Sequence, residues 1–254
     1  MRIIRFKNKN NEVQFGWVIQ EKVGLIQGDP FGEYRRFEAS MLLSELELLL
    51  PCQPSKIIAV GRNYAEHAAE MNNELPAYPL IFMKPPSALI TNGEPILLPG
   101  QSSRVEHEAE LAIVVGKEAK NLNQNNVREA IFGYTIANDV TARDLQKIDG
   151  QWTRAKGFDT FCPLGPWIDT EFDPSDAIIS CHVNHALRQM GSTKDMTFNP
   201  AQLMIYISSI MTLMPGDLIL TGTPAGVGPL VDGDLVTVQI DGLGTLVNPV
   251  KKAG

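Results

Sequence analysis

Glu106, Glu108 and Glu110 occupy alternate positions and lead directly into the apolar run Leu111-Ala112-Ile113-Val114-Val115. A strand sends alternate side chains to one face about 7 Å apart, so this spacing predicts a row of carboxylates at the entrance of a strand. Such a row repels itself and resists desolvation unless a cation compensates it or water solvates it. A wet edge strand is the simpler alternative, but the run Leu111 to Val115 is apolar on both faces and calls for a buried strand. Asp139 adds a further carboxylate, between the apolar Tyr134-Thr135-Ile136-Ala137 and the segment Thr141-Ala142-Arg143-Asp144-Leu145-Gln146. Thr141 and Asp144 are spaced as an N-cap and its partner, which predicts a strand, then a helix, with Asp139 at the junction. There its carboxylate either turns toward the strand glutamates or merely caps the helix. Oxygen ligands without a His or Cys cluster suit a hard cation, Mg2+ first, then Mn2+ or Ca2+, and disfavour zinc.

A second group lies in Gly61-Arg62-Asn63-Tyr64-Ala65-Glu66-His67-Ala68-Ala69-Glu70-Met71, immediately after the strand-like Ile57-Ile58-Ala59-Val60. The glycine permits a sharp turn into a short helix, on which His67 and Glu70 share a face. A carboxylate beside an imidazole fixes its tautomer, making the pair a general base for water; the alternative is an exposed polar pair. Arg143 and Gln146 lie three apart on one helical face. Lys84 and Lys156 are lone cations in apolar or turn-rich surroundings, either on the surface or in need of an acidic partner or anionic ligand. The glycine-rich Thr221-Gly222-Thr223-Pro224-Ala225-Gly226-Val227-Gly228 lacks the Gly-Lys-Ser/Thr of a phosphate loop, which argues against nucleotide binding. Its N–H groups and the Thr223 hydroxyl remain open to an anion. His182 and His185 read as strand and turn residues.

The elements that must position these groups are mostly strands. Residues 1–53 read as a small N-terminal β module: Ile3 to Phe6, Val13 to Val18 and Val23 to Ile26, then a helix-like stretch from Met41 to Leu49 and a linker at Pro51-Cys52-Gln53-Pro54. Residues 54–254 read as a second, larger part, with strand runs at Ile57 to Val60, Leu80 to Met83, Leu111 to Val115, Tyr134 to Ala137, Leu218 to Leu220 and Leu235 to Ile240. One strong helix runs from Pro200 to Met211 with Asn199 as N-cap and a stripe of Leu203, Tyr206, Ile207 and Ile210. Asp241-Gly242-Leu243-Gly244 marks a terminal hairpin.

With 254 residues, 44% of them hydrophobic, the chain is long enough for a sizeable core. Its 29 acidic against 22 basic residues give a net charge of -7, which argues against nucleic-acid binding. No apolar stretch approaches the roughly 20 residues of a spanning helix, so a cytoplasmic protein with no membrane partner is expected. The three cysteines, Cys52, Cys162 and Cys181, suggest neither a disulfide framework nor a zinc site.

In this order, Gly61-Arg62-Asn63-Tyr64, Phe82-Met83-Lys84-Pro85, Glu108-Ala109-Glu110-Leu111, Asn138-Asp139-Val140-Thr141-Ala142-Arg143-Asp144, Lys156-Gly157-Phe158-Asp159 and Thr221 to Gly228 closely resemble the fumarylacetoacetate hydrolase family over residues 56 to 250. The resemblance implies a β-rich α+β fold, with a mixed β-sandwich roll behind the small N-terminal module, and a homodimer. It also implies Mg2+ or Mn2+ on Glu108, Glu110 and Asp139, a His67–Glu70 pair on a lid helix, and substrate held by Arg143, Gln146, Lys156 and Thr223. The sequence departs from the family at Asn184-His185, where Asn-Gly is common in a turn, and at Glu106 beside His107.

These readings converge on a metal-dependent hydrolase that cleaves a C–C bond in an acylpyruvate-type 2,4-dioxo acid through a metal-bound enolate. His67 and Glu70 would activate water, and Lys156 would meet the oxyanion. Arg143 and Gln146 would hold the carboxylate, with Thr223 orienting the substrate. The same site would equally serve decarboxylation of a 2-oxo acid such as oxaloacetate, or isomerisation of a 5-carboxymethyl-2-hydroxymuconate or 2-hydroxyhepta-2,4-diene-1,7-dioate. A non-catalytic acid-binding protein is the reading from a different class.

Overall fold

Apolar side chains at period two, bounded by polar turns, make most of this chain strand. In the computed structural model, which describes residues 1–254, an antiparallel meander opens the chain: β1 (Arg2–Lys7), β2 (Val13–Ile19), β3 (Lys22–Gly28) and β4 (Tyr34–Leu42). β5 (Glu47–Leu49) then returns to pair with β1. The helix expected over 41–49 does not form. A single 3-10 turn at Leu43–Glu45 separates two strands. Met41, Leu43, Leu46 and Leu48 pack on a small core of Ile4, Phe6, Val18 and Val23. Met41 and Leu43, like Leu46 and Leu48, sit two apart, so strand spacing on either side of a turn imitates a helical stripe in a leucine-rich run.

Next come β6 (Ile57–Gly61), α1 (Ala65–Glu70), β7 (Leu80–Lys84), β8 (Leu89–Ile90), β9 (Ile96–Leu98), β10 (Val105–His107) and β11 (Ala109–Val115). They are followed by β12 (Ile131–Asn138), β13 (Thr141–Ala142), α2 (Arg143–Asp149), α3 (Thr153–Lys156) and β14 (Cys162–Asp169). The chain closes with β15 (Ile178–Val183), β16 (Ala186–Ser192), α4 (Pro200–Ile210), β17 (Leu218–Leu220), β18 (Gly228–Pro229), β19 (Leu235–Ile240) and β20 (Gly244–Lys252).

The large sheet is ordered β4-β3-β2-β1-β14-β12-β11-β17-β6-β7, a second sheet β16-β15-β19-β20-β9, and a small one β13-β10-β18. The N-terminal strands extend the large sheet through the pairs Arg2↔Asp169 and Ile3↔Ile168. β11 lies between β12 and β17 and is buried along its whole length, so it is no wet edge. One face sends Leu111 and Ile113 into the main core with Ile179 and Val238 of the second sheet. The other face sends Ala112 and Val114 against Ile57, Ala59, Leu218 and Leu220. Burial of each larger aliphatic side chain stabilises the fold by roughly 1.5–3 kcal/mol, and burial on both faces is why the run does not alternate. The result is a β-rich α+β fold.

α4 begins as its sequence predicts. The Asn199 side chain accepts from the Gln202 N–H, the Gln202 side chain accepts from the Asn199 N–H, and Pro200 occupies the first turn. Its buried face is Leu203, Met204, Ile207 and Ser208, whereas Ile210 from the expected stripe is exposed. Asn184 and His185 take φ of 51° and 68° in the turn between β15 and β16, the left-handed pair that a two-residue hairpin needs. No helix is long and apolar enough to cross a membrane. All three cysteines are free and buried, and burial pushes each thiol up to about 12.

Candidate active site

β11 and β12 pair Ala109 with Asn138 and Glu110 with Ala137, which sets Asp139 just beyond the pairing and opposite Glu108. The Asp139 N–H donates to the Glu108 carbonyl at 2.9 Å, and the Asn138 side chain accepts from the Glu108 N–H at 2.9 Å. One carboxylate oxygen each from Glu108, Glu110 and Asp139 therefore lies within 4.8 Å of the others, and all three residues are buried. Asp139 does not cap α2. That helix starts from Ala142 with no side-chain cap, and the Thr141 hydroxyl donates to the Asp139 carbonyl instead. Asp144, the expected capping partner, accepts from Ser102 and Ser103, because those hydroxyls lie beside it.

The three glutamates do not form one row. Glu106 belongs to β10 in the small sheet and Glu110 to β11 in the large one, and the chain changes sheet at Glu108. Glu106 accordingly pairs with Arg104 and Arg143, each at 2.6 Å. A single-strand picture cannot foresee that change of sheet.

Two buried lysines meet the triad. Lys156, at the end of α3, donates to Glu108 Oε2 at 2.6 Å and Asp139 Oδ2 at 2.7 Å. Burial opposes its charge, but Asp139 and Glu108 outweigh that and hold it protonated. Lys84 Nζ lies 2.7 Å from Asp139 Oδ1, yet its aligned hydrogen bonds run to the carbonyls of Val140 and Lys156. Asp139 Oδ1 is left without an aligned donor. Glu110 receives one bond from the chain, from the Gly222 N–H at 2.6 Å, and no cation. Burial, then Asp139 and Glu108, push the Glu110 carboxyl well above the usual carboxylate range. Burial would raise Glu108 too, but Lys156 and Arg143 overcome it and hold that carboxyl below its ordinary value.

A hard cation fits this set. Oxygen is the only ligand type, Glu110 lacks a positive partner, and Asp139 Oδ1 is a buried acceptor without an aligned donor, beside the Lys84 ammonium. Glu108, Glu110 and Asp139 would hold it.

Arg143 opens α2 with its guanidinium already engaged. Nε reaches Glu106 at 2.6 Å, Nη1 reaches Gln146 Oε1 at 2.6 Å, and Nη2 donates to Glu108. Thr223 donates to the Ala109 carbonyl at 2.8 Å and accepts from Gln189 Nε2 at 2.7 Å. Gln189 Oε1 in turn accepts from the Ala109 N–H and faces His107 Nδ1 at 2.9 Å. Burial holds His107 below its ordinary pKa, and its Nε2 has no partner. Gln189 escaped the sequence reading because a lone glutamine in a strand carries no spacing signal. Lys84 stood out there only as a lone cation.

His67 and Glu70 meet on α1, with Nδ1 3.1 Å from Glu70 Oε2. His67 is buried at 7% exposure while Glu70 is exposed, so the imidazole of the pair does not stand on the surface. Two of the glycine-rich-loop N–H groups serve carboxylates of the protein: Gly222 donates to Glu110 and Gly226 to Glu70.

A cavity of about 260 Å³ gathers His67, Glu108, Glu110, Asp139, Arg143, Gln146, Lys156 and Thr223 in its wall. Glu70 stands behind His67, so every residue singled out for chemistry is in or beside one cavity. Buried carboxylates, a held lysine and an oriented imidazole in one cleft equip it for acid–base chemistry on an anionic substrate.

Comparison with known proteins identifies the family of this chain. The family model described as fumarylacetoacetate (FAA) hydrolase C-terminal matches residues 56–251, and one described as Rv2993c-like, N-terminal matches residues 1–51. The mitochondrial oxaloacetate decarboxylase of Dictyostelium discoideum is 46% identical over 197 residues, covering 75% of this chain and 90% of that protein. The mitochondrial oxaloacetate tautomerase fahd2 of Xenopus laevis is 44% identical over 220 residues, covering 82% and 69%. The crystal structure of 2-hydroxyhepta-2,4-diene-1,7-dioate isomerase from Mycobacterium marinum superposes with a TM-score of 0.93 at 45% identity, covering 100% of this chain and 99% of that one. The chain therefore belongs to the fumarylacetoacetate hydrolase family.

Proposed function

We propose that this protein hydrolyses a C–C bond in an acylpyruvate-type 2,4-dioxo acid. One observation carries the reading: an imidazole oriented by a carboxylate opens on the same cavity as the Glu108, Glu110 and Asp139 cluster. A divalent cation on that cluster, Mg2+ or Mn2+, would supply Lewis-acid polarisation of the substrate's 2-oxo group.

The residues of the chain supply the rest. Glu70 accepts from His67 Nδ1, a tautomer assigned from the hydrogen-bond network, so Nε2 carries the lone pair. Nε2 takes a proton from water as its oxygen bonds to the distal carbonyl carbon. Lys156, held protonated by Glu108 and Asp139, faces the developing oxyanion. Collapse breaks the C–C bond, and the pyruvate enolate recovers the proton from His67 to leave as pyruvate beside the second acid. Gln146 accepts from Arg143 through Oε1, which leaves its amide N–H groups for the substrate carboxylate. Arg143 thus acts through Gln146. Thr223 keeps one lone pair for a substrate hydroxyl.

The activities for which the relatives are named favour a second reading, in which the same base moves a substrate proton without activating water. Oxaloacetate would then be decarboxylated or interconverted between keto and enol forms, or an unsaturated 2-hydroxy dioate isomerised.

The test follows the enol ultraviolet band of acetylpyruvate, fumarylpyruvate and oxaloacetate with metal-stripped protein, then with Mg2+, Mn2+ or EDTA, and identifies products by NMR. Cation-dependent release of pyruvate plus a second acid supports hydrolysis. Carbon dioxide, or a product of unchanged mass, replaces it with the second reading.

A further inference from the structure

Arg62 stands in the left-handed region with φ of 57°, a conformation uncommon for a residue with a Cβ. The backbone around it leaves little freedom. Asn63 Nδ2 donates to the carbonyls of Thr221 and Phe198, Asn63 Oδ1 accepts from the Phe198 N–H, and the Asn63 carbonyl accepts from the Thr197 N–H. Residues held in such conformations by their surroundings cluster at active sites, ligand clamps and switch regions.

Its guanidinium makes no ion pair, hydrogen bond or aromatic stack within the chain. The cavity's other basic groups differ. Arg143 is paired with Glu106 and Glu108 and bonded to Gln146, and Lys156 is committed to Glu108 and Asp139. Lys147 is unpaired but exposed on the rim, where water screens it. Arg62, half-buried, is the cation free to take a new anion.

Its place gives the direction. Arg62, Phe82 and Trp152 are shared by the catalytic cavity and by an adjoining groove of about 880 Å³ that continues along Met83, Pro85 and Pro86. Phe82 and Trp152 meet edge to face at 5.1 Å and form an apolar wall between the triad and the groove. A substrate with its 2-oxo acid end at the triad and its carbon chain along that wall would bring its far end to Arg62.

We propose that Arg62 is a specificity-determining residue that binds a second, distal carboxylate, so that the site selects dianionic 2-oxo acids over monoanionic ones. This rests on the 2-oxo acid reading above, but its test needs no turnover. Isothermal titration calorimetry with Mg2+ present compares 2-oxoglutarate with 2-oxopentanoate, five-carbon acids that differ in the distal carboxylate. Wild-type protein is expected to bind the dianion about ten-fold or more tightly, the worth of a charge-assisted pair. Arg62→Gln should weaken 2-oxoglutarate to the level of 2-oxopentanoate and leave the latter unchanged, which also shows that the site is intact. Arg62→Asn, suited to the left-handed backbone, should behave alike, and Lys147→Gln should keep the preference. The proposal is overturned if wild type shows no preference, including no binding of either acid, if the preference survives in Arg62→Gln, if it disappears with Lys147→Gln, or if Arg62→Gln weakens both acids equally. Failure of the turnover assay alongside a preference that depends on Arg62 would reject the reaction and retain the subsite.

Discussion

Gly226 donates its backbone N–H to the Glu70 carboxylate, 3.1 Å from Oε1 and 3.2 Å from Oε2, across 156 positions of chain. The bond ties the carboxylate beside His67 to the glycine-rich loop. α1 has six residues, too few to hold a helix unaided. The glycine-rich loop thus orients the carboxylate that orients the imidazole.

His67→Ala should lower kcat by about 10²–10⁴-fold, the usual contribution of a general base. Cation affinity, measured by calorimetry, should stay unchanged, because His67 is outside the triad. Full retained activity would remove His67 as the base.

Gly226→Ala should reduce both stability and turnover. Gly226 has φ of 99°, and a Cβ there would run into the Arg188 carbonyl oxygen. Relieving that clash moves the N–H that holds Glu70, with strain of about 1–3 kcal/mol. A lowered Tm and kcat with unchanged cation affinity is the expected pattern, and a Tm equal to wild type would contradict the geometry.

The cation should stabilise the protein more at pH 8 than at pH 5. The Glu110 carboxyl is raised in the folded protein, so the folded state keeps its proton where the unfolded state has lost it. Stability of the metal-free protein from this group falls as pH climbs from the ordinary carboxylate value through the raised one. A cation needs the ionised form and reverses that loss. Glu108, held low, works oppositely: its contribution is present above the ordinary value and is lost on acidification. Thermal melts across pH with and without Mg2+ check this, and Glu110→Gln should abolish most of the Mg2+ effect. An equal Mg2+ shift at pH 5 and pH 8 would argue against Glu110 as the titrating ligand.

Asp144→Asn should cost on the order of 1 kcal/mol at pH 7, a figure discounted for its partial exposure. Partial burial opposes the Asp144 charge, but bonds from the Ser102 hydroxyl, the Ser103 N–H and hydroxyl and the Leu145 N–H hold its pKa down at about 2. That stability is complete above the ordinary value of 3.8 and is lost as pH falls through about 2. Denaturation curves of wild type and variant should therefore converge at the acid end.

Local pattern settled what depends on neighbours in the chain. Period two gave the strands, Asn199-Pro200 with Gln202 gave the start of α4, and a spacing of three gave the contact between His67 and Glu70. The motif order also carried the carboxylate set, since Glu108 and Glu110 flank one strand residue and Asp139 ends the strand paired to theirs. Long-range packing decided the rest. Leu-rich 41–49 became two strands because β1 offered an edge and a small apolar core. Glu106 left the row because the chain changes sheet at Glu108, and Asp144 left its cap because Ser102 and Ser103 arrive from elsewhere. Arg143 and Lys156 were legible as polar residues of interest, but not as cations already neutralised within the protein, and Arg62 was not legible as a half-buried cation without a partner. Sequence spacing reports which residue types lie near each other along one element, whereas the partner of a buried charge is set by whichever strand or loop the fold brings across it.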